Sequence, residues 1–266
     1  MGAAGRSGIF FVCAAALMTL VPQNPRRDSM LEGIPSGKTR VLDLSYAISD
    51  KLVPWPGDER FFEAKVNATV EKNGYFTRSF WMLEHYGTHL DAPAHFPPGK
   101  TTVDQIPVKQ LMGPAVVVDV RAESAKDPDY QLPAAGVEEW EKRHGRIPEG
   151  AIVLLRTGWA SRWPDTKTYR NQDTQGKMHF PGFSAGAAKL LLERKVSGLG
   201  CDTMSIDYGA SGDFAVHHLA LGAGLYHLEN LADLSEVPET GAFLIAAPIK
   251  LEGGSGGPVR VFAVLP

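Results

Sequence analysis

The chain is 266 residues long, 44% apolar and 21% charged, a composition that can bury one sizeable core and excludes a disordered protein. A formal net charge of −3 leaves no basic surplus to neutralise a run of phosphates, so no nucleic-acid partner is expected. The two cysteines, Cys13 and Cys201, support neither a disulfide framework nor a thiolate zinc site, so any metal here must sit on nitrogen and oxygen.

In chain order, Arg6 precedes an uncharged, mostly apolar run over residues 8–21, the length of a signal h-region, which Pro22, Pro25 and two arginines close. Residues 1–22 therefore read as a signal peptide and the mature protein as periplasmic or secreted, with no stable membrane insertion after cleavage. The run is shorter than the roughly 20 apolar residues of a bilayer-spanning helix; a membrane anchor and a mis-called start codon are the alternatives. Cleavage leaves Cys201 as the one thiol, in an apolar run that suits a buried structural role. Residues 23–38 are polar with glycine and proline, a flexible segment, and the folded domain is expected over residues 39–266.

Residues 40–48 alternate as a first strand, and residues 54–58, Pro-Trp-Pro-Gly-Asp, form a turn carrying an aromatic, Trp55, that a turn does not require. Residues 75–84 alternate as a strand buried on at least one face, leading directly into His85. Residues 113–120 and 151–157 are short β-branched runs, with helical character over 135–144 between them and Gly145 as the stop. Ser184 caps a helix through Lys195, residues 198–202 form a strand, and the last strands are expected over 242–249 and 259–265. A flexible hairpin, Gly253-Gly-Ser-Gly-Gly257, separates those two. The pattern is α/β or α+β, without internal repeats or an interdomain linker.

His85, His89, Asp91 and His95 give H-x-x-x-H-x-D-x-x-x-H within eleven residues, and Gly87 and Pro93 interrupt any regular element, so the segment reads as a preorganised loop. Imidazole nitrogen and carboxylate oxygen suit zinc, manganese, iron or cobalt, and one carboxylate can bridge two ions. The alternative is a set of hydrogen bonds in a buried turn. A second cluster follows at His217, His218, His227 and Glu229. On an extended chain, at most one of the adjacent pair His217 and His218 faces a metal, and spacing does not say which. Glu229 stands in an apolar context where a cation would relieve the cost of a carboxylate.

The motif H-x-G-T-H-x-D-x-P-x-H resembles the signature of the metal-dependent cyclase family, which includes bacterial kynurenine formamidases and isatin hydrolases. Residues 53–58, 155–159, 200–207 and 217–230 resemble further family blocks in the same order, so the resemblance covers most of residues 40–265. It implies an α/β, cyclase-type swivelling β/β/α single domain, usually in a homo-oligomer, here a homodimer or homotetramer. It further implies one or two divalent ions per subunit, zinc or manganese, with His85, His89 and Asp91 on the first, Asp91 bridging, and His217 with Glu229 on the second. His95 then resembles the catalytic acid/base, and Trp55 an aromatic wall of the substrate pocket. Isatin hydrolases carry a glutamine where this chain has His217, which leans towards the formamidase pattern.

The expected activity is hydrolysis of an amide C–N bond in a small molecule, an aryl formamide or a cyclic amide, with Trp55, Phe61, Phe62, Phe80 and Trp81 offering aromatic surface. Isatin, lactone and cyclic imide hydrolysis belong to the same family, and an exported metal-dependent binding protein without catalysis is the non-enzymatic reading. Gly253-Gly-Ser255-Gly-Gly257 satisfies G-x-S-x-G, but no Asp, Glu or His follows it, so a serine hydrolase is rejected. His144 and His179 are expected at the surface. His227 is a candidate supporting residue, and Asp202 and Asp207 have no role that the sequence assigns.

Overall fold

The computed structural model describes residues 1–2, 30 and 32–266; apart from its first two residues, the expected leader lies outside the described residues, as does half of segment 23–38. The strands are β1 (Val41–Asp43), β2 (Phe62–Ala68), β3 (Thr77–Met82), β4 (His89–Asp91), β5 (Met112–Asp119) and β6 (Gln131–Leu132). They continue as β7 (Ile152–Arg156), β8 (Gly182–Phe183), β9 (Gly198–Cys201), β10 (Tyr226–Glu229), β11 (Phe243–Pro248) and β12 (Gly256–Val264). The main helices are α1 (Ala134–His144), α2 (Ala185–Glu193) and α3 (Ala215–Gly222).

One eight-stranded sheet runs β1-β12-β11-β5-β7-β9-β10-β4, and β4 also pairs with the start of β12, so the sheet closes into a barrel with β1 on its rim. Of the parallel strands β5, β7, β9 and β10, the central β5 and β7 are nearly continuous apolar runs because both of their faces are covered. Their alternation sorts the core into two layers. Val117, Leu154, Leu228 and Leu90 fill the interior, while Val116, Val118, Val153, Leu155 and Leu199 face the helices and meet Trp140, Leu191, Val216 and Ala220. Ser184 caps α2 by accepting from Ala187 N at 3.1 Å, as expected of an N-cap serine, and Gly145, at φ +88°, ends α1.

The expected α/β architecture is present, with three local differences. The first strand is only Val41–Asp43, because the chain leaves the sheet edge to run towards the turn that carries Trp55. The strand ahead of His85 is not buried on either face: β3 pairs only with β2 in a projecting hairpin, and Phe80 and Trp81 are 63% and 39% exposed. Alternation set the strand type correctly, but among the described residues neither face is covered by the core, and Trp81 meets the Arg60 guanidinium, 4.1 Å over its ring. Of the hairpin expected at residues 253–257, Gly253, at φ +71°, does sit in the turn between the antiparallel β11 and β12, but Gly256 and Gly257 already belong to β12, buried beside Asp91 and Leu90. Among the described residues no helix is long and apolar enough to cross a membrane.

Leu154 is fully buried in β7 at the middle of the sheet. Leu154→Ala is expected to remove about 2–5 kcal/mol of unfolding free energy in urea denaturation; a change under about 0.5 kcal/mol, the level of a surface substitution, contradicts this placement of the core.

Candidate metal centre

The site grows from one pairing. In the antiparallel β4–β10 ladder His227 lies opposite Asp91 and Glu229 opposite His89. Side chains two apart on a strand share a face and cross-strand partners share it too. Leu90 and Leu228 therefore point into the barrel, while His89, Asp91, His227 and Glu229 form a square on the helix-facing side. All four are at most 5% exposed. The expected loop around His89 and Asp91 is thus a short strand, because β10 and β12 supply backbone partners on both its edges.

Helix α3 packs against β10 and adds His217, which is 3% exposed, while His218 points outward. Only one of the pair faces inward, as expected, although the two stand on a helix and not on the extended chain assumed from the sequence. His85 enters ahead of β4, and His95 follows on a single 3₁₀ turn that starts at Pro93. The rings of His85 and His95 stack at 3.8 Å.

Each of three rings is anchored by one nitrogen, leaving the other turned inward. The Gly87 carbonyl accepts from His89 Nδ1 at 3.0 Å, a contact that the positive φ of Gly87, +66°, makes possible, and Asn230 Nδ2 donates to the same carbonyl. His89 Nε2 then faces Asp91 Oδ1 at 3.2 Å and Glu229 at 3.5 Å. Asp207 accepts from His217 Nδ1 at 2.7 Å and from the backbone of Val216 and His217, so His217 Nε2 faces Asp91 Oδ2 at 3.4 Å and Glu229 Oε1 at 3.3 Å. Ser255 Oγ donates to Glu84 and so accepts from His85 Nε2 at 2.8 Å, leaving His85 Nδ1 at 2.6 Å from Asp91 Oδ1. Such acceptors fix the tautomer and aim of metal-binding imidazoles.

Asp91 consequently has two sides, Oδ1 towards His85 and His89, Oδ2 towards His217 and His227. Burial would raise its pKa, but the surrounding histidines, His89 first, hold the carboxyl well below its ordinary value. Burial would likewise lower His89 and His217, yet Asp91 and Glu229 outweigh it and hold His89 up at about 9, and they join Asp207 in raising His217. Asp91 Oδ2 and both His227 nitrogens are buried without a hydrogen-bond partner. Donors of this chemistry, with buried and partnerless atoms among them, fit a divalent cation.

A cavity of about 530 Å³ opens over His85, His89, His95, His217 and Glu229. Trp55, Phe96 and Phe214 wall it, Phe214 lying 6.3 Å from Trp55 and 5.6 Å from Phe96 between ring centres. Trp55 is where the sequence expected it, but the other aromatics it named are elsewhere. Phe61 packs on Tyr86, and Phe62, Phe80 and Trp81 line a separate groove on the hairpin. Phe96 and Phe214 carried no signal beyond being aromatic. Ser255 was set aside with its glycine-rich segment, yet it reaches His85; since its hydroxyl hydrogen goes to Glu84, it is not poised as a nucleophile. Asp202 binds Thr157 and Gly158, supporting the loop after β7. His144 is held by Glu239 and His179 by Asp129 and Asp173, away from the cavity.

A charge-hungry carboxylate ringed by imidazoles under an aromatic cavity belongs to the class of metal-dependent hydrolases. Residues 42–208 match the model of the putative cyclase family. An isatin hydrolase from Roseibium aggregatum is 38% identical over 247 residues, 87% of this chain and 94% of its own. A kynurenine formamidase from Salinibacter ruber is 30% identical, over 83% of this chain and 95% of its own. The solved isatin hydrolase A from Ralstonia solanacearum is similar with a TM-score of 0.82 at 34% identity, covering 95% of this chain and 100% of its own. This chain belongs to the cyclase family of metal-dependent hydrolases. That membership removes the reading as a binding protein without catalysis.

Gly256 pairs with Asp91, and a Cβ there would lie 2.4 Å from the Leu90 carbonyl oxygen and 2.6 Å from His85 Cε1. Gly256→Ala must displace either β4 or the His85 ring. Metal affinity measured by chelator competition is expected to fall at least about tenfold with the circular dichroism spectrum retained; unchanged affinity contradicts the packing argument.

Proposed function

We propose that this protein hydrolyses the C–N bond of an aromatic amide, an aryl formamide or a cyclic amide, using zinc or manganese held by His85, His89, Asp91, His217 and Glu229. The observation that carries the reading is the two-sided Asp91 at the floor of the aromatic cavity. His85 Nδ1, His89 Nε2 and Asp91 Oδ1 would hold one ion, and Asp91 Oδ2, His217 Nε2 and Glu229 a second. When bound, such an ion supplies Lewis acidity that brings the pKa of water towards about 7 and polarises a carbonyl.

The chain's own residues do the rest. Burial pushes the His95 pKa down to about 4, with His85, His217 and His89 adding to the fall against the pull of Asp91, so its ring is neutral at pH 7. No protein group among the described residues hydrogen-bonds that side chain, which leaves a ring nitrogen free towards the cavity. In this role His95 takes a proton from the attacking water and returns it to the departing nitrogen. Trp55, Phe96 and Phe214 bind a flat aromatic ring and keep water from it.

Similarity to isatin hydrolases supports a cyclic amide. The inward Nε2 of His217 supports the two-ion, kynurenine-formamidase-like reading expected first, with isatin hydrolysis as its alternative. The projecting hairpin and its groove of about 660 Å³ expose Phe76, Phe80, Trp81, Ile249 and Leu251, which supports a homodimer or homotetramer that covers them.

Purified protein is expected to contain zinc or manganese and to turn over isatin or N-formylkynurenine, with activity lost on chelation and restored by either ion. His95→Ala is expected to keep its metal and lose about 10²–10⁴ in kcat. Protein that takes up no metal under any reconstitution defeats the reading. Phe80→Glu with Trp81→Glu is expected to shift the mass in sedimentation to that of a monomer; an unshifted oligomer rules out the hairpin as its interface.

A further inference from the structure

His227 stands out among the described histidines. It is wholly buried in β10, directly across from Asp91 on one side and Leu199 on the other, yet neither ring nitrogen has a hydrogen-bond partner. A buried polar group left unpaired costs about 1–3 kcal/mol, and this ring has two. Leucine would fill the same place without that cost. Another partnerless buried atom, Asp91 Oδ2, lies 3.8 Å from His227 Nδ1. That separation is too long for a hydrogen bond. It suits two ligands of one ion, each at roughly 2.0–2.2 Å from it.

We propose that His227 is itself a metal ligand, which with Asp91 Oδ2, His217 and Glu229 encloses one divalent cation in a buried pocket of two nitrogens and two oxygens. The inference rests on the metal-hydrolase reading above and extends it. One donor atom from each of these four residues lies within 4.8 Å of the others, and all four side chains are buried. The ring of His227 stands edge-on to that of His217, 4.9 Å between centres at 87°, so both nitrogens reach the same space without clashing.

Four protein ligands would complete the set here although His217 and Glu229 also border the cavity, whereas His85, His89 and Asp91 alone leave a position open towards His95. Closed sets are typical of ions that hold structure and charge, and open ones of ions that meet substrate. The cation on the Oδ2 side therefore serves to hold Asp91 and set its charge, and substrate chemistry belongs to the Oδ1 side. Unlike His85, His89 and His217, His227 has no acceptor for its second nitrogen, so its bond to the ion is weaker than that of His217.

The test uses the full chain, stripped by chelation and titrated with Zn²⁺ and separately with Mn²⁺, comparing the unaltered protein with His227→Leu and, as a control on the exposed side of α3, His218→Leu. Ions per subunit come from elemental analysis after gel filtration and affinity from competition with a chromophoric chelator. His227→Leu is expected to lose one ion or bind it at least tenfold more weakly, with a metal-free melting temperature no lower than that of the unaltered protein; His218→Leu changes neither. Equal stoichiometry and affinity in His227→Leu overturns the proposal while leaving the hydrolase reading intact, whereas unaltered protein that binds no ion removes both. Should His227→Leu fail to fold, unaltered protein with ¹⁵N-labelled histidine and ¹¹³Cd decides: cadmium coupling to a His227 ring nitrogen is expected, and its absence overturns the proposal.

Discussion

The antiparallel register between β4 and β10 is the constraint on which the rest of this molecule depends. Opposing Asp91 with His227 and His89 with Glu229 puts polar groups on one face of two very short strands, while Leu90 and Leu228 occupy the other. A slip of one residue would send the carboxylates into the apolar barrel and the leucines under α3. Closure of the barrel prevents that slip, because β4 is held on its second edge by β12, where Gly256 and Gly257 let the backbones and the His85 ring come close.

Around this square, the protein uses local acceptors to decide which nitrogen each imidazole presents. A backbone carbonyl does so for His89, a carboxylate for His217 and a serine hydroxyl for His85. The acceptor of His89 is itself secured. Asn230 sits just past β10 at φ +53°, donates to Gly87, accepts from Tyr169, and offers its own carbonyl to Thr88. The elements on both sides of the site are thereby tied together through Asn230, Tyr169 and Thr88. The cost of gathering two carboxylates in a buried place is offset by imidazolium charge in the metal-free protein and by a cation in the loaded one.

The aromatic cavity is assembled from distant parts of the chain. Trp55 comes from the proline-flanked turn, Phe96 follows the metal motif, and Phe214, held at φ +47°, precedes α3. The cavity is therefore walled from the same two chain regions, around His95 and His217, that supply the proposed acid/base and ligand groups. The exposed hairpin of β2 and β3 lies beyond this cavity and shares Leu83 and Glu84 with it.

By itself the sequence determined the central strands, the two capped helices, and the clustering of His85, His89, Asp91 and His95, because alternation, caps and motif spacing are local properties that survive in one dimension. The resemblance carried by that motif extended the reading to His217, Glu229 and Trp55, all of which line or floor the one cavity. Tertiary structure alone decided the rest. That His217 and not His218 faces Asp91 follows from how α3 packs on β10; that residues 75–84 contribute an exposed hairpin follows from its pairing with β2 apart from the main sheet among the described residues, not from their pattern. Ser255, Asp207, Phe96 and Phe214 join the site through contacts between segments far apart in the chain, and His227 acquires its place only when register sets it opposite Asp91. Register, closure and packing are relations between elements, and no single stretch of residues encodes them.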